Sequence, residues 1–192
     1  MSPEKRYHRR SVRLNGYDYF QPGAYFVTIC VQSSLCLLDN IDVRVVVQRW
    51  WDELHNKFPN VDTDAFVIMP NHIHGVIIIT YPVGAHLRVR PESSSGQTHR
   101  SAPTVGNIIQ WFKTMTTNEY IHGVKQYGWT PFPGRLWQRN YYEHIIRNED
   151  QLNSIREYIH LNPLKWELDR ENPNRKLDQA YENQWKWLEG IR

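Results

Sequence analysis

The 192-residue chain holds only two cysteines, Cys30 and Cys36. That scarcity excludes a disulfide-rich secreted scaffold and points to a reducing compartment, with the cytoplasm as the default expectation. Long apolar runs are also missing. The longest, around Val76–Thr80, falls far short of the ~18 residues a membrane span needs, so no membrane association is expected. The opening Met1–Arg10 stretch has no apolar core behind its charges and does not read as a signal peptide. Charge of one sign is nearly absent as a global feature, with 23 basic against 20 acidic residues and a net charge of +3.

What is present is distributed unevenly. Lys5, Arg6, Arg9, Arg10 and Arg13 crowd the first stretch against Glu4 alone, and Arg88, Arg90 and Arg100 form a second cluster opposed by Glu92. Basic arms of this kind commonly meet phosphates, and a solvated tail reads equally well from charge alone. Eight tryptophans and eleven tyrosines exceed what a core of this size requires. Such rings either stack on unpaired bases or pack with their polar tips hydrogen-bonded.

Patterning predicts a strand over Ala24–Val31, then a helix from a capping Asp42 through Lys57, with Val43, Val46, Val47, Trp50, Leu54 and Phe58 at helical steps. A second strand is expected over Asp64–Met69, a tight turn at Pro70-Asn71, and a third strand over His72–Thr80, pairing as a β-hairpin. Residues 82–103 read as a flexible connector. Thr104 offers an N-cap for a helix presenting Ile108, Ile109, Phe112 and Met115. His122–Gly134 reads as a loop and Leu136–Tyr142 as a fourth strand. Asn148 with Gln151 opens a last helix, whose stripe is Leu152, Ile155 and Ile159 and whose stop is Pro163. The organisation is a basic N-terminal arm (1–22), one domain (23–166) and a C-terminal tail (167–192). The order β-α-β-β-α-β implies an α+β, ferredoxin-like (RRM-like) sandwich with an antiparallel sheet, plus an extra C-terminal helix free to cover the other sheet face.

The stretch Met69–Ile78 carries the chemistry. Alternation along a strand sends His72 and His74 to one face, where two imidazoles can chelate one divalent cation. Gly75 removes a side chain where a bulky ligand could approach. A His-x-His pair alone is a weak signal, since satisfied or surface histidines account for most such pairs. On the last helix Tyr158 and Asn162 stand four residues apart, one above the other, at the border of the Ile155/Ile159 stripe. Tyr158 then lies at the helix–sheet contact.

Gly23–Thr28, Met69–Gly75, Trp137–His144 and Tyr158–Lys165 together resemble the single-tyrosine HUH transposases, most closely the REP-associated tyrosine transposases. The resemblance implies His72 and His74 as metal ligands, Asn162 as a third, amide-type ligand, and Tyr158 as the nucleophile. It further implies Mg²⁺ or Mn²⁺ and a single-stranded DNA substrate carrying a hairpin. The strand would be cut and rejoined through a 5′-phosphotyrosine, in DNA transposition or REP-element processing. Tyr141 and Tyr142 are rival nucleophiles, read instead as packing or DNA-stacking groups. Arg135, Arg139 and the arm residues Lys5, Arg6, Arg9 and Arg10 are candidate phosphate contacts, and His144 and His160 are read as structural or surface residues. Two alternatives remain: a non-catalytic single-stranded nucleic-acid-binding module, and a relaxase- or replication-initiator-like nickase. Monomer and homodimer are both compatible with the short Glu143–Asn148 connection.

Overall fold

The computed structural model describes residues 22–80 and 103–184. The basic arm with Lys5, Arg6, Arg9 and Arg10, nearly all of the connector, and Trp185 and Trp187 lie outside the described residues. Four strands form one sheet in the order β2-β3-β1-β4, with every neighbouring pair antiparallel. They are β1 (Gly23–Cys30), β2 (Val61–Ile68), β3 (His72–Ile79) and β4 (Tyr142–Ile146). This is the ferredoxin-like arrangement expected from the patterning, and it puts the histidine-bearing β3 beside β1 in the centre of the sheet.

Each central strand divides its side chains between two layers. Tyr25, Val27 and Ile29 of β1 and Ile73 and Ile77 of β3 face the main core, with α1 (Ile41–Asp52), the short α2 (Leu54–Lys57) and α3 (Val105–Tyr127). Phe26 and Val76 face the opposite way, against Ile155 and Ile159 of α4 (Glu149–Leu161). The extra helix therefore covers the second face. Among the described residues, no helix is long and apolar enough to cross a membrane.

Gly75 serves the core and not a ligand. A Cβ there would come within 2.4–2.5 Å of the Trp51 ring, which stacks on Phe66 and meets Phe112 edge-on. The sequence expectation of ligand clearance is thus corrected: β3 runs bare at this point so that an indole can lie against its backbone.

Several element boundaries differ from expectation for local reasons. Asn40, not Asp42, caps α1, its Oδ1 accepting from the N–H groups of Asp42 and Val43 at 2.8 and 3.4 Å. Asp42 then falls in the first turn, where an anion suits the helix dipole. Thr104 caps α3 as expected, accepting from Asn107 N–H, but the helix continues through Gly123 to Tyr127. The Trp129 ring packs into the space where a Gly123 side chain would stand, and Gly128, at φ 69°, ends the helix. The fourth strand begins at Tyr142, not Leu136. Only Trp137 makes an isolated bridge, to Val31, while the Gln138, Arg139 and Asn140 carbonyls accept from Lys113 Nζ. Three successive carbonyls turned toward one ammonium do not alternate from side to side as those of a strand do.

The start of α4 matches its reading. Asn148 Oδ1 accepts from Gln151 N–H, and Gln151 Oε1 accepts in return from Arg147 N–H, both at 2.9 Å. The α-helix stops at Leu161, and a 3₁₀ segment, Asn162–Leu168, follows it. Beyond it, Asp169 is buried, and Tyr181 on the short α5 (Gln179–Gln184) packs into the layer of Phe26 and Ile155.

Candidate metal and nucleophile site

Register builds the site. Thr28 on β1 lies opposite His74 on β3, and its Oγ1 is 2.8 Å from His74 Nδ1. Strand alternation puts His72 on the same face, with its Nε2 3.0 Å from His74 Nε2. Phe26, one pleat further along β1, stacks on His74 at 5.4 Å and meets the Tyr158 ring edge-on at 5.9 Å. From the other side α4 lowers Tyr158 onto the pair, its hydroxyl 3.3 Å from His74 Nε2.

Two further groups close the site. Asn162, at the C-terminal end of α4, is buried, and neither its Oδ1 nor its Nδ2 has a hydrogen-bond partner among the described residues. It nonetheless lies beside the Tyr158 hydroxyl and the Asp169 carboxyl and favours the charged form of each. Asp169 Oδ2 stands 3.8 Å from His72 Nε2. The potential donor atoms of His72, His74 and Asp169 all lie within 4.8 Å of one another.

The electrostatics follow from burial. Loss of water pushes His72 down to about 3, and burial followed by the neighbouring His72 pushes His74 well below its ordinary value. Both imidazoles are therefore neutral near pH 7, the form that binds metals. Burial raises Asp169 to about 6. Burial first, and then the nearby Asp169 and Tyr181, raise the Tyr158 hydroxyl well above the ordinary phenol range. An unassisted phenolate is thus disfavoured, and a positive charge placed here would reverse that balance.

This donor set fits a divalent cation. Two ligand atoms bound to one cation at ~2.1 Å, at angles of ~90–110°, lie roughly 3.0–3.4 Å apart, and the two Nε2 atoms already have that spacing. The Asn162 amide, buried beside the Tyr158 hydroxyl and the Asp169 carboxyl, adds a neutral oxygen to the donors at hand.

The structure brings together four of the expected residues: His72, His74, Tyr158 and Asn162. Tyr142 borders the group, edge-on to Phe26 at 6.3 Å. Tyr141 faces the other way, packed on the main core with its hydroxyl donating to Glu143 Oε2 at 2.9 Å. Arg135 and Arg139 are exposed on the segment before β4, and His160 is exposed on α4. His144 is buried on the site face of β4, opposite Phe26. Asp169 was not singled out from the sequence. It follows an irregular 3₁₀ turn, so no periodicity links it to a strand almost one hundred residues earlier.

The sheet has ferredoxin-like order, with paired histidines facing a helix-borne tyrosine. No protein-family model matches the chain. A Haemophilus influenzae protein described only as uncharacterized is 37% identical over 174 residues, spanning 85% of this chain and 93% of the relative. A second protein from that organism, described as a "Putative REP-associated tyrosine transposase", is 28% identical over 153 residues, spanning 77% and 74%. A solved REP-associated tyrosine transposase bound to a REP hairpin shares the fold, with a TM-score of 0.51 at 18% identity over 78% of this chain and 72% of that one. The chain is thus similar to REP-associated tyrosine transposases in sequence and in fold.

Proposed function

We propose that this chain is a cytoplasmic endonuclease and strand transferase that cuts and rejoins single-stranded DNA bearing a hairpin, with Tyr158 as its nucleophile. The observation that carries the proposal is the convergence of the Tyr158 hydroxyl on His74 Nε2 at 3.3 Å, with His72 Nε2 a further 3.0 Å away. Its setting is DNA transposition or the processing of REP elements. Exposed Arg135 and Arg139, together with the N-terminal arm, supply phosphate contacts, and Tyr142 a stacking surface at the edge of the site.

His72 and His74 would hold Mg²⁺ or Mn²⁺, with the Asn162 amide and the Asp169 carboxylate as the remaining donors at hand. When bound, such a cation supplies charge that stabilises the phosphate oxygens and the phenolate. Tyr158 loses its proton to solvent, and its oxygen bonds to phosphorus as the bond from phosphorus to the 3′-oxygen breaks. The departing 3′-oxygen takes up a proton, leaving a 5′-phosphotyrosine and a free 3′-hydroxyl. One phosphodiester replaces another, so attack by a 3′-hydroxyl reverses the step without ATP. Phe26, edge-on to the ring, and α4 hold the phenol in place.

The test uses end-labelled hairpin oligonucleotides with single-stranded flanks, with Mn²⁺ or Mg²⁺, resolved on denaturing gels. A metal-dependent covalent protein–DNA band that is absent from Tyr158→Phe is expected. Tight binding with no adduct in either metal would instead favour the non-catalytic binding module.

A further inference from the structure

The residue before the first histidine is a buried polar group whose hydrogen bonds reach into the site. Asn71 is 1% exposed, at the turn between β2 and β3, and all of its amide hydrogen-bonding is directed. Its Nδ2 donates to the Glu171 carbonyl at 2.7 Å and to the Ser34 carbonyl at 3.3 Å. Its Oδ1 is 2.8 Å from His72 Nδ1. Turning the amide over would aim oxygen at two carbonyl oxygens, which cannot donate, so the orientation is settled by its surroundings. With Oδ1 facing the ring, His72 Nδ1 must be the protonated nitrogen. His72 Nε2 is then left as a bare lone pair, on the side where His74 Nε2 and Asp169 Oδ2 gather.

We infer that Asn71 is a positioning residue: it holds His72 in the Nδ1–H tautomer and presents the Nε2 lone pair to the cation. The ring nitrogen remote from a metal is ordinarily held by a hydrogen-bond acceptor, and loss of that acceptor costs roughly 10- to 100-fold in metal affinity. Here the acceptor is an amide that is itself held by carbonyls from two separate loops. Ser34 belongs to the connection after β1, and Glu171 to the segment beyond the 3₁₀ turn, two residues after Asp169. The same amide therefore ties the orientation of His72 to the backbone that carries the Asp169 carboxylate. For His74 the corresponding contact is Thr28 Oγ1 on Nδ1, a hydroxyl able to donate or accept, so it fixes no tautomer. The asymmetry assigns the orienting role to Asn71.

This inference rests on the metal reading of the site, and its test separates the two. Histidine-selective ¹⁵N labelling, with His72 assigned by its loss in His72→Gln, reads the tautomer of the metal-free protein directly. Wild-type protein is expected to show His72 as the Nδ1–H form. In Asn71→Leu that form should give way to a mixture or to Nε2–H, with Mn²⁺ affinity, read from the free-ion electron paramagnetic resonance signal, falling roughly 10- to 100-fold. A wild-type His72 protonated on Nε2 would overturn the inference without recourse to any variant. So would an Asn71→Leu protein that keeps both the tautomer and the affinity. If wild type shows the Nδ1–H form but binds no Mn²⁺, the metal reading falls and the tautomer assignment stands.

Discussion

Gly75 is one residue from His74, yet its constraint comes from Trp51 on the opposite face of the sheet. Gly75→Ala would force a methyl into the indole, and overpacking of this kind costs about 1–3 kcal/mol. The urea midpoint of Gly75→Ala should fall accordingly while hairpin affinity stays near wild type; a variant that keeps its stability but loses hairpin binding would return Gly75 to the ligand side. This one glycine shows where residue-level reading reaches and where it stops. Alternation alone was enough to put His72 and His74 on one face, and four-residue spacing to stack Asn162 over Tyr158. Which face a missing side chain serves depends on a ring that arrives from another helix, and single-strand patterning does not contain it. Asp169 was hidden for a related reason, since an irregular turn has no period to read.

Across elements, the position of α4 decides whether Tyr158 reaches the histidines. Its apolar stripe packs on Phe26 and Val76, and a charged fork adds direction. Arg156 Nε and one terminal nitrogen donate to the two carboxylate oxygens of Asp64 on β2, at 2.9 and 2.6 Å, and the other terminal nitrogen reaches Glu149 and Asn153. Exposed pairs contribute little to global stability, but a bidentate fork sets geometry. Arg156→Ala should therefore slow covalent adduct formation more than it lowers the melting temperature, and the exchanged pair Arg156→Asp with Asp64→Arg should recover part of the rate. Unchanged adduct kinetics in Arg156→Ala would show that the apolar stripe alone places the helix. The α4 cap and stripe were legible because Asn148, Gln151, Leu152, Ile155 and Ile159 act locally. The late start of β4 was not, because Lys113, distant in sequence, draws off the Gln138–Asn140 carbonyls.

For the whole molecule, the buried site makes stability depend on pH in a defined direction. His72 and His74 titrate near 6.5 when unfolded, but His72 is held at about 3 and His74 well below its ordinary value in the fold. Below pH 6.5 the unfolded chain thus binds two protons that the native chain refuses. Asp169 opposes this, because its folded value is raised from 3.8 to about 6, so between those limits the native state holds one proton more. The difference, two minus one, leaves the unfolded state one proton richer. Stability of the metal-free protein should then fall as pH drops from 6 toward 4. His144, also lowered chiefly by burial, adds in the same direction. Asp169→Asn should steepen the slope, as denaturant unfolding at stepped pH would read, and a flat profile in wild type would contradict the buried neutral pair. The proposed chemistry rests on which atom carries the DNA. The most direct measurement is mass spectrometry of proteolytic peptides from the protein–hairpin adduct formed with Mn²⁺. A nucleotide is expected on the peptide containing Tyr158 and on no other. A nucleotide on Tyr142 or Tyr141, or an adduct that forms undiminished in Tyr158→Phe, would contradict it.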